Sequence, residues 1–462
     1  MAQPTSPAAR RPRRVLRWIL IVVLVMVPVA GAGVGWWLYQ NRADPVPPGT
    51  PARPAAASLD PAIVPVSPNA PVPTAAGVAK QLAKPLKDPA LGKLTGQVSD
   101  PLTGKVLWSQ GADEPRVPAS NAKILTASAV LLALPHDSRV TTEVVFGANG
   151  EAILVGAGDP TLTSTPAGEP SFYSSPGRIS DLAEQIKRSG RHVTSIAVDT
   201  SLFTGPTMQK TWDRRDIEGG DITPIESLMV DGGRLKPNDE YSPRTDQPAL
   251  AAGRALAEAL GLNSPVAETT APSGAPVIAS VKSAPLTVRV GDMMRYSDNV
   301  LAESLGIELA EATGGEPSIS GGAQAVLKTL RTNGFDVGDA TLVDSSGLSY
   351  SDRVPASLLD ELMSAAAGDG RPKLRSLLDS LPVAHGTGTL ADRFFPASTD
   401  GAGWVRGKTG TLTGVSSLTG TVQTVDGRVL AFAMISGGTS PADARPAVDA
   451  VVGALRDCGC RG

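Results

Sequence analysis

Cysteine and histidine are scarce in this chain of 462 residues. The two cysteines, Cys458 and Cys460, stand near the C-terminus, and the three histidines, His136, His192 and His385, are far apart. Two cysteines cannot make the disulfide framework of a small secreted domain, although export would permit a bond between them. The histidines lack the spacing of metal ligands and few soft ligands accompany them, so we expect no metal site.

An excess of one charge is also missing. Lysine and arginine total 42 against 45 aspartates and glutamates, which gives a formal net charge of −3 at pH 7. Because nucleic-acid binding needs a strongly basic surface, this near balance argues against nucleic acid as a partner. The length allows two or three domains with a sizeable core.

The N-terminal region combines a basic cluster with a long apolar run. Residues 1–14 contain four arginines, and the stretch 15–39 carries no charge after Arg17. At about 1.5 Å per residue, this run is long enough to cross a hydrocarbon core of roughly 30 Å. The positive-inside rule then predicts a cytoplasmic tail at 1–14, a transmembrane anchor at 15–39 and an exported remainder. A cleaved signal peptide is the alternative, because Ala-Gly-Ala at 30–32 resembles a cleavage site.

The exported part divides by composition into a linker and a folded region. Residues 40–80 are rich in proline and alanine and show little periodicity, which is typical of an extended linker, or of a spacer that only connects. Alternating strand and helix patterns follow. We assign 81–138 and 270–462 to one domain. The segment 139–269 has strand patterns of its own and Pro-rich joints, so it is interpreted as an inserted domain or pair of subdomains.

Hydrophobic periodicity predicts both helices and strands. Hairpins are indicated at Pro101–Gly104 and at Val425–Gly427, and the second precedes a helix that begins after Ser440. A helix packed on an antiparallel sheet is an α+β layer arrangement. Further helices are predicted at 118–134, 181–189, 248–260, 299–312, 321–333 and 354–367.

Ser120 and Lys123 are three positions apart at the start of a predicted helix. Side chains at i and i+3 lie on one helix face, with Cβ atoms about 5–6 Å apart. A lysine whose pKa is lowered can take the proton of a serine, so the pair could supply a nucleophile and its base without histidine. Taken alone, the same residues fit an ordinary helix start.

Ser297-Asp-Asn299 precedes another predicted helix. Serine and asparagine are common N-caps, so helix capping is the simpler interpretation. The functional alternative is a hydroxyl that relays a proton and an amide that orients a substrate amide.

The third motif is Lys408-Thr409-Gly410-Thr411, which leads into a strand. A strand edge with lysine and threonine offers a cation and hydroxyls to a carboxylate. Gly410 would let substrate backbone approach closely, and the N–H of Thr411 could donate to an oxyanion. A Gly-rich turn with a solvated lysine is the alternative for this motif alone.

The three motifs occur in the order Ser-x-x-Lys, Ser-Asp-Asn, Lys-Thr-Gly, and this set resembles the penicillin-recognising serine acyltransferases. The long segment between the first two motifs further resembles the D-alanyl-D-alanine carboxypeptidase/endopeptidase class of low-molecular-mass penicillin-binding proteins. The resemblance covers about residues 85–455 and also involves 156–163, 343–354, 381–394 and 407–420. The chain departs from that class at Ser345 and His385, where the class often has glycine.

The resemblance implies an α/β (α+β) fold, a β-lactamase/transpeptidase-like domain with an antiparallel sheet and helices, split by the insert. It implies a serine-type D-Ala-D-Ala carboxypeptidase of the bacterial cell membrane, which trims peptidoglycan stem peptides and is acylated by penicillins and other β-lactams. Whether it also acts as an endopeptidase stays open. No metal or organic cofactor is implied.

The resemblance also assigns roles to the motif residues. Ser120 is the nucleophile, Lys123 its base and Ser297 the proton relay, with the N–H groups of Ser120 and Thr411 as oxyanion hole. The implied substrate-binding residues are Asn299, Lys408, Thr409, Gly410 and Thr411. Two alternatives remain: a β-lactamase or esterase on the same scaffold, although no glutamate is evident between the first two motifs to activate water, and a catalytically silent cell-wall-binding module.

Overall fold

The computed structural model describes residues 69–395 and 399–460. The predicted cytoplasmic tail and transmembrane anchor, 1–14 and 15–39, lie outside these residues, as does most of the predicted linker. In the described part of the chain, no helix is both long and apolar enough to cross a bilayer. The three motifs all lie within the described residues.

The described residues form ten strands and eleven α-helices, together with eight short 3-10 turns. The strands are β1 (Thr95–Asp100), β2 (Lys105–Gln110), β3 (Thr141–Phe146), β4 (Glu151–Val155), β5 (Ser195–Asp199), β6 (Ala267–Glu268), β7 (Val277–Lys282), β8 (Val405–Leu412), β9 (Val415–Gln423) and β10 (Val429–Gly437). The helices are α1 (Ala75–Leu82), α2 (Ala122–Ala133), α3 (Ile179–Arg188), α4 (Arg215–Glu218), α5 (Pro248–Leu260), α6 (Leu286–Tyr296), α7 (Asn299–Ala312), α8 (Ile319–Thr332), α9 (Ala356–Ala367), α10 (Arg375–Ser380) and α11 (Pro441–Arg456).

The first sheet is antiparallel throughout, in the order β2-β1-β10-β9-β8. Alternate residues of β10 point to opposite faces: Phe432 and Met434 join the cluster that contains α11, and Ala433 and Ile435 join the cluster that contains α2 and α9. Because both faces are covered by helices, β10 is apolar on both sides. The predicted arrangement of helices on an antiparallel sheet is confirmed.

β8 is an edge strand of this sheet. The segment 382–384 pairs with its first half, where Ala384 N donates to Val405 O at 2.9 Å and Gly407 N donates to Pro382 O at 3.0 Å. The second half carries the Lys-Thr-Gly motif, and its side chains Thr409 and Thr411 line a cleft. The third motif is therefore placed at the open edge of a sheet.

The second sheet has the order β6-β5-β4-β3-β7 and is mixed, with parallel pairs at β4–β5 and β5–β6. Helices α3 and α5 share a hydrophobic cluster with it. Its strands come from residues 141–282, so β7 lies beyond the predicted end of the insert at 269. The insert boundaries stay a prediction.

The rest of the predicted insert packs differently. Between 203 and 245 the chain is largely irregular, and Trp212, Ile222 and Met229 share a cluster with Val300 and Ile307 on α7. This part of the chain therefore lies directly against the helix that begins with the second motif.

The sequence predicted most helix positions closely. Helices at 248–260 and 299–312 are observed with those bounds, and the hairpin before the last helix joins β9 to β10. Ser440 caps α11 by accepting a hydrogen bond from Asp443 N at 3.4 Å. The helix predicted over 118–134 is shorter, because 119–121 form a 3-10 turn and α2 begins at Ala122.

The C-terminal end of the described chain binds α1. Cys458 and Cys460 form a disulfide, a question that the sequence left open, and Thr74 N donates to Cys460 O at 2.9 Å. Gly77 of α1 packs so closely here that a Cβ atom would lie 2.7 Å from the Cys460 carbonyl oxygen. The first helix and the last residues therefore stabilise each other.

Gly77→Val should lower the free energy of unfolding by about 1–3 kcal/mol, because the added side chain would overpack this contact. Ala79→Val is the matched control, since Ala79 lies on the same helix but is exposed. Urea denaturation of both variants measures the difference. Equal stability of the two variants would contradict the packing argument.

Candidate active site

Ser120 lies in the short turn that leads into α2, and two contacts fix that turn. Ala119 adopts a left-handed backbone conformation (φ 49°), and its carbonyl group contacts Gly347 so closely that any Cβ there would overlap it. Ser417 Oγ on β9 donates to Pro118 O at 2.7 Å. The predicted nucleophile is thus held between the first sheet and the loop around Gly347.

Lys123 is completely buried beneath Ser120. Its Nζ donates to Asn299 Oδ1 at 2.6 Å and to Ser346 O at 2.7 Å, and it lies 3.1 Å from Ser120 Oγ. A neutral amine has two N–H donors and one lone pair. The two carbonyl oxygens take the two donors, which leaves the lone pair for the Ser120 hydroxyl. The geometry therefore fits a base that is neutral before reaction.

Burial also favours the neutral amine. Burial lowers the pKa of Lys123 to about 8, against the opposing effect of the nearby carboxylates Asp344 and Glu303. Both oxygens of Glu303 accept from Ser345 N at 3.1 Å, and burial together with Asp344 raises the pKa of Glu303 to about 8. The buried carboxyl groups thus limit how far the pKa of Lys123 falls.

The loop 344–349 presents the carbonyl that binds Lys123. Its centre is Asp344, whose carboxylate accepts from Gly347 N at 2.7 Å, Ser349 N at 2.9 Å and the indole Nε1 of Trp212 at 2.8 Å. These bonds fix the loop that contains Ser346.

Ser345 is one of the two departures from the resembled class. Its side chain fits because it packs on Gly306 of α7, where a Cβ atom would lie 2.8 Å from that of Ser345.

The second motif lies between two helices. Ser297 ends α6 in a left-handed conformation (φ 57°), and Asn299 is the first residue of α7. The N-cap is Asp298, whose carboxylate accepts from Leu301 N at 2.9 Å. Capping is thus done by the middle residue of the motif, while Ser297 and Asn299 line the cleft.

Asn299 has both ends of its amide occupied. Oδ1 accepts from Lys123, and Nδ2 donates to the backbone oxygen of Asp221 at 3.0 Å. We predicted that this amide orients a substrate, and its observed contacts position Lys123.

Lys408 is as deeply buried as Lys123. Its Nζ donates to Ser297 Oγ at 2.8 Å and to Thr409 O at 2.6 Å. Burial, and next the proximity of Lys123, lower the pKa of Lys408 well below its usual range. The alternative of a solvated lysine is wrong, because Lys408 lies buried behind Ser297, and its binding of a substrate carboxylate stays a prediction.

The hydroxyls of the third motif are at the cleft. Thr409 Oγ1 donates to Thr389 Oγ1 at 2.8 Å, and Thr411 Oγ1 accepts from Arg445 on α11 at 3.1 Å. Gly410 points the other way: a Cβ there would overlap Ser417 Oγ. The glycine therefore lets β8 approach the Ser120 turn, whereas we predicted an approach of substrate backbone.

All three motifs open into one cleft of about 1830 Å³. Its walls are mostly polar and come from the motif residues, from the insert and from the loops before β8. The insert contributes Thr211–Asp216, Asp221, Glu240 and Tyr241. The structure thus brings the eight predicted site residues together at or beneath one surface.

Several contributors to this site were not predicted. Asp221, Ser346 and Arg445 are distant in sequence from the residues they contact, and no local pattern marks them. Glu303 follows Asn299 by four positions, which places both on one face of α7, so helical spacing was a usable signal.

Comparison with solved structures identifies the fold. Penicillin-binding protein 4 of Haemophilus influenzae superposes with a TM-score of 0.67 at 20% identity, covering 83% of this chain and all of that one. A second structure of that protein, in complex with a β-lactam, gives a TM-score of 0.62. The transpeptidase-like fold expected from the motifs is confirmed at this level.

Sequence comparison identifies the family as well as the fold. Carboxypeptidase DacB of Mycolicibacterium smegmatis is 47% identical over 98% of both chains. A carboxypeptidase of Mycobacterium tuberculosis is 49% identical over 91% of this chain and 92% of its own length. The family model for D-Ala-D-Ala carboxypeptidase 3 (S13) matches residues 78–242 and 237–458, which include all three motifs. The resemblance inferred from the motifs is confirmed, and the chain belongs to the D-Ala-D-Ala carboxypeptidase 3 (S13) family.

Proposed function

We propose that this protein is a serine-type D-alanyl-D-alanine carboxypeptidase that removes the terminal D-alanine of peptidoglycan stem peptides through an acyl-enzyme at Ser120. The observation that carries the proposal is the arrangement around Lys123, a fully buried amine whose Nζ lies 3.1 Å from the Ser120 hydroxyl oxygen. Family membership and the carboxypeptidase relatives support the same reaction.

Acylation begins with proton transfer from Ser120 to Lys123. Ser120 Oγ bonds to the carbonyl carbon of the penultimate D-alanine, and its proton moves to Lys123 Nζ. The oxyanion is assigned to the backbone N–H groups of Ser120 and Thr411. The transferred proton adds no buried net charge, because the oxyanion forms at the same moment.

Expulsion of the leaving group needs a proton on its nitrogen. Ser297 Oγ, held by Lys408 at 2.8 Å, is the assigned relay to that amine. The C–N bond then breaks and free D-alanine leaves. Lys123 is neutral again once its proton has passed to the leaving amine. Water next adds to the acyl carbon and gives a proton to Lys123, and Ser120 Oγ takes that proton as the Ser120–carbon bond breaks to release the shortened peptide.

The carboxylate of the terminal D-alanine is assigned to the open half of β8. Thr409 and Thr411 supply hydroxyls there, and Arg445 supplies a permanent cation beside Thr411. Arg445 also has an electrostatic interaction with neighbouring Asp449, whose carboxylate is bound by Arg393. Lys408 lies behind Ser297, so its interaction with the D-alanine carboxylate passes through the Ser297 hydroxyl.

A β-lactamase and a silent cell-wall-binding module are the competing functions. A penicillin has a carboxylate and a strained amide, so it should fill the same site, but its leaving group stays attached and blocks the path of water. Slow deacylation therefore separates the carboxypeptidase from a β-lactamase. Covalent labelling separates both from the silent module, and cross-linked peptides would reveal any endopeptidase activity.

Ser120→Ala should abolish both penicillin labelling and D-alanine release, because no second nucleophile is available in the mechanism. Intact-mass analysis after penicillin treatment should find one adduct, mapped to Ser120, that survives denaturation. Ser128→Ala is the control, since it removes a buried hydroxyl that has no hydrogen-bond partner among the described residues and lies on α2, the helix that follows Ser120. An adduct at another residue, or rapid turnover without an adduct, would contradict the mechanism.

The rate of acylation should rise with pH and level off above about 8. The rate rises with pH because only the neutral form of Lys123 accepts the Ser120 proton. Burial lowers the pKa of Lys123 to about 8, so the rate levels off above that pH. Stopped-flow measurement of penicillin acylation from about pH 6 to about pH 10 tests this expectation. A rate that is flat or falls over this range would exclude Lys123 as the base.

Arg445→Gln should lower kcat/KM for peptides with a free C-terminal carboxylate by about tenfold, the loss expected for one charge-assisted hydrogen bond. Peptides that end in D-alanine amide should lose much less. Arg456→Gln is the matched control, because Arg456 lies on α11 but stacks on Trp404 at 3.9 Å and not in the cleft. Equal losses on acid and amide substrates would remove Arg445 from carboxylate binding.

We also propose that the enzyme is exported and stays anchored in the bacterial cell membrane through residues 15–39. The arginine cluster before this apolar run and the Pro-rich linker after it support the proposal. The full-length protein should sediment with membranes and resist extraction by high salt. A mature N-terminus at Gly33, with the protein in the soluble fraction, would instead establish signal cleavage.

A further inference from the structure

Asp298, the middle residue of the second motif, is a fully buried carboxylate with partners on both sides. One oxygen accepts from Leu301 N and caps α7. The other accepts from Tyr173 Oη at 2.8 Å and from Arg234 Nη2 at 2.8 Å, with Arg244 Nη2 at 3.6 Å. Tyr173, Arg234 and Arg244 all come from the predicted insert.

These arginines are themselves held rigidly. Their side chains are 2% and 3% exposed, so neither is a solvated surface charge. Arg234 lies 3.7 Å from the ring centroid of Phe172, and Arg244 Nε donates to Gly220 O at 2.9 Å. Gly232 passes so close that a Cβ would lie 2.8 Å from Arg244 Nη1 and 2.9 Å from Arg234 Nη1. The insert therefore forms a fixed cationic socket for one carboxylate.

The socket determines where the two neighbours of Asp298 point. Ser297 has a left-handed backbone, which costs free energy for a residue with a Cβ and persists only where the surroundings enforce it. Asp298 is held on one side and Lys408 holds Ser297 Oγ on the other. Release of Asp298 would let Ser297 relax and would move its hydroxyl away from the leaving group.

The same part of the insert contacts the base from two further directions. Asp221 O holds the amide of Asn299, and Trp212 Nε1 holds Asp344 in the loop that presents Ser346 O to Lys123. Like Arg234, Asp221 and Trp212 therefore contact residues that either touch the reacting groups or stand next to them in the sequence.

We propose that residues 209–245 of the insert are a working part of the catalytic centre, in which Arg234 and Arg244 act as positioning residues for Ser297 and Asn299 through Asp298. The inference rests on the proposed function, because it concerns the same reaction. The second sheet, which has its own hydrophobic cluster, is then a structural layer separate from the catalytic centre. Removal of the whole insert would thus disable acylation of small substrates as well as of polymers.

Arg234→Met in the full-length protein tests the proposal. The rate of acylation by a fluorescent penicillin should fall by about 10- to 100-fold, because small displacements of reacting groups cost that much. Arg234→Lys keeps the charge and should recover part of the rate.

Arg428→Met is the matched control. Arg428 forms an ion pair with Asp100 in which the side chains are 3% and 0% exposed. Arg428 comes after the last residue of β9. That end of β9 is about 23 Å along the strand from Ser416, the residue that pairs with Thr411. Rates are compared at the same interval below the melting temperature of each variant, and the control should stay within about twofold of wild type.

A double-mutant cycle separates positioning from general destabilisation. If Arg234 acts through Asp298, the double variant Arg234→Met/Asp298→Asn should lose no more rate than the worse single variant. Additive losses, or a rate of Arg234→Met that tracks Arg428→Met at matched stability, would overturn the inference.

Two further results keep the test decisive. Should Arg234→Met fail to fold, Tyr173→Phe removes one donor to Asp298 with little change of volume and should still lower the acylation rate several-fold. An unchanged rate in a folded Tyr173→Phe would count against the inference. Wild-type protein that fails to label at Ser120 would instead refute the proposed function itself.

Discussion

The site depends on a lysine amine that is buried and therefore loses its proton more readily than an exposed lysine. An ammonium ion at the position of Lys123 would lose its hydration without a carboxylate in direct contact, which is costly inside a protein. Among the described residues, Asn299 and Ser346 each offer Lys123 a carbonyl oxygen, and no carboxylate forms a salt bridge with it. Glu303 and Asp344 lie farther back and moderate the effect of burial. Asp221 and the loop 344–349 hold those two carbonyl groups in place.

A second constraint links the insert to the catalytic domain. A buried aspartate such as Asp298 must be compensated, and the helix N-terminus of α7 supplies only part of that compensation. Burial by itself would raise the pKa of Asp298, but Arg244, Arg234 and the Leu301 N–H lower it well below its usual range. Because the arginines come from the insert, the helix that begins at the second motif has its N-cap carboxylate bound by residues from both parts of the chain.

The sequence predicted what is local. The bounds of α5 and α7, the Ser440 cap and the order of the three motifs follow from periodicity, capping and spacing, and each was found as expected. Burial and long-range partners could not be predicted in this way. The burial of Lys408 was not predicted, and its contact with Ser297 spans 111 positions. Arg234 is 64 positions from Asp298, and no pattern near either residue indicates the other.

The open half of β8 also has a consequence for how molecules of this protein behave toward one another. Unpaired strand edges can recruit the edge of another chain and lead to aggregation. Here the segment 382–384 covers the first half of the strand, and the uncovered remainder is only about four residues long, short even for a strand in a globular protein. An edge of this length, set in a polar cleft, can accept the end of one extended peptide but gives a whole foreign strand too few hydrogen bonds to pair stably. The same shortness that suits the site to a chain terminus therefore disfavours pairing of a second molecule at this edge of the sheet.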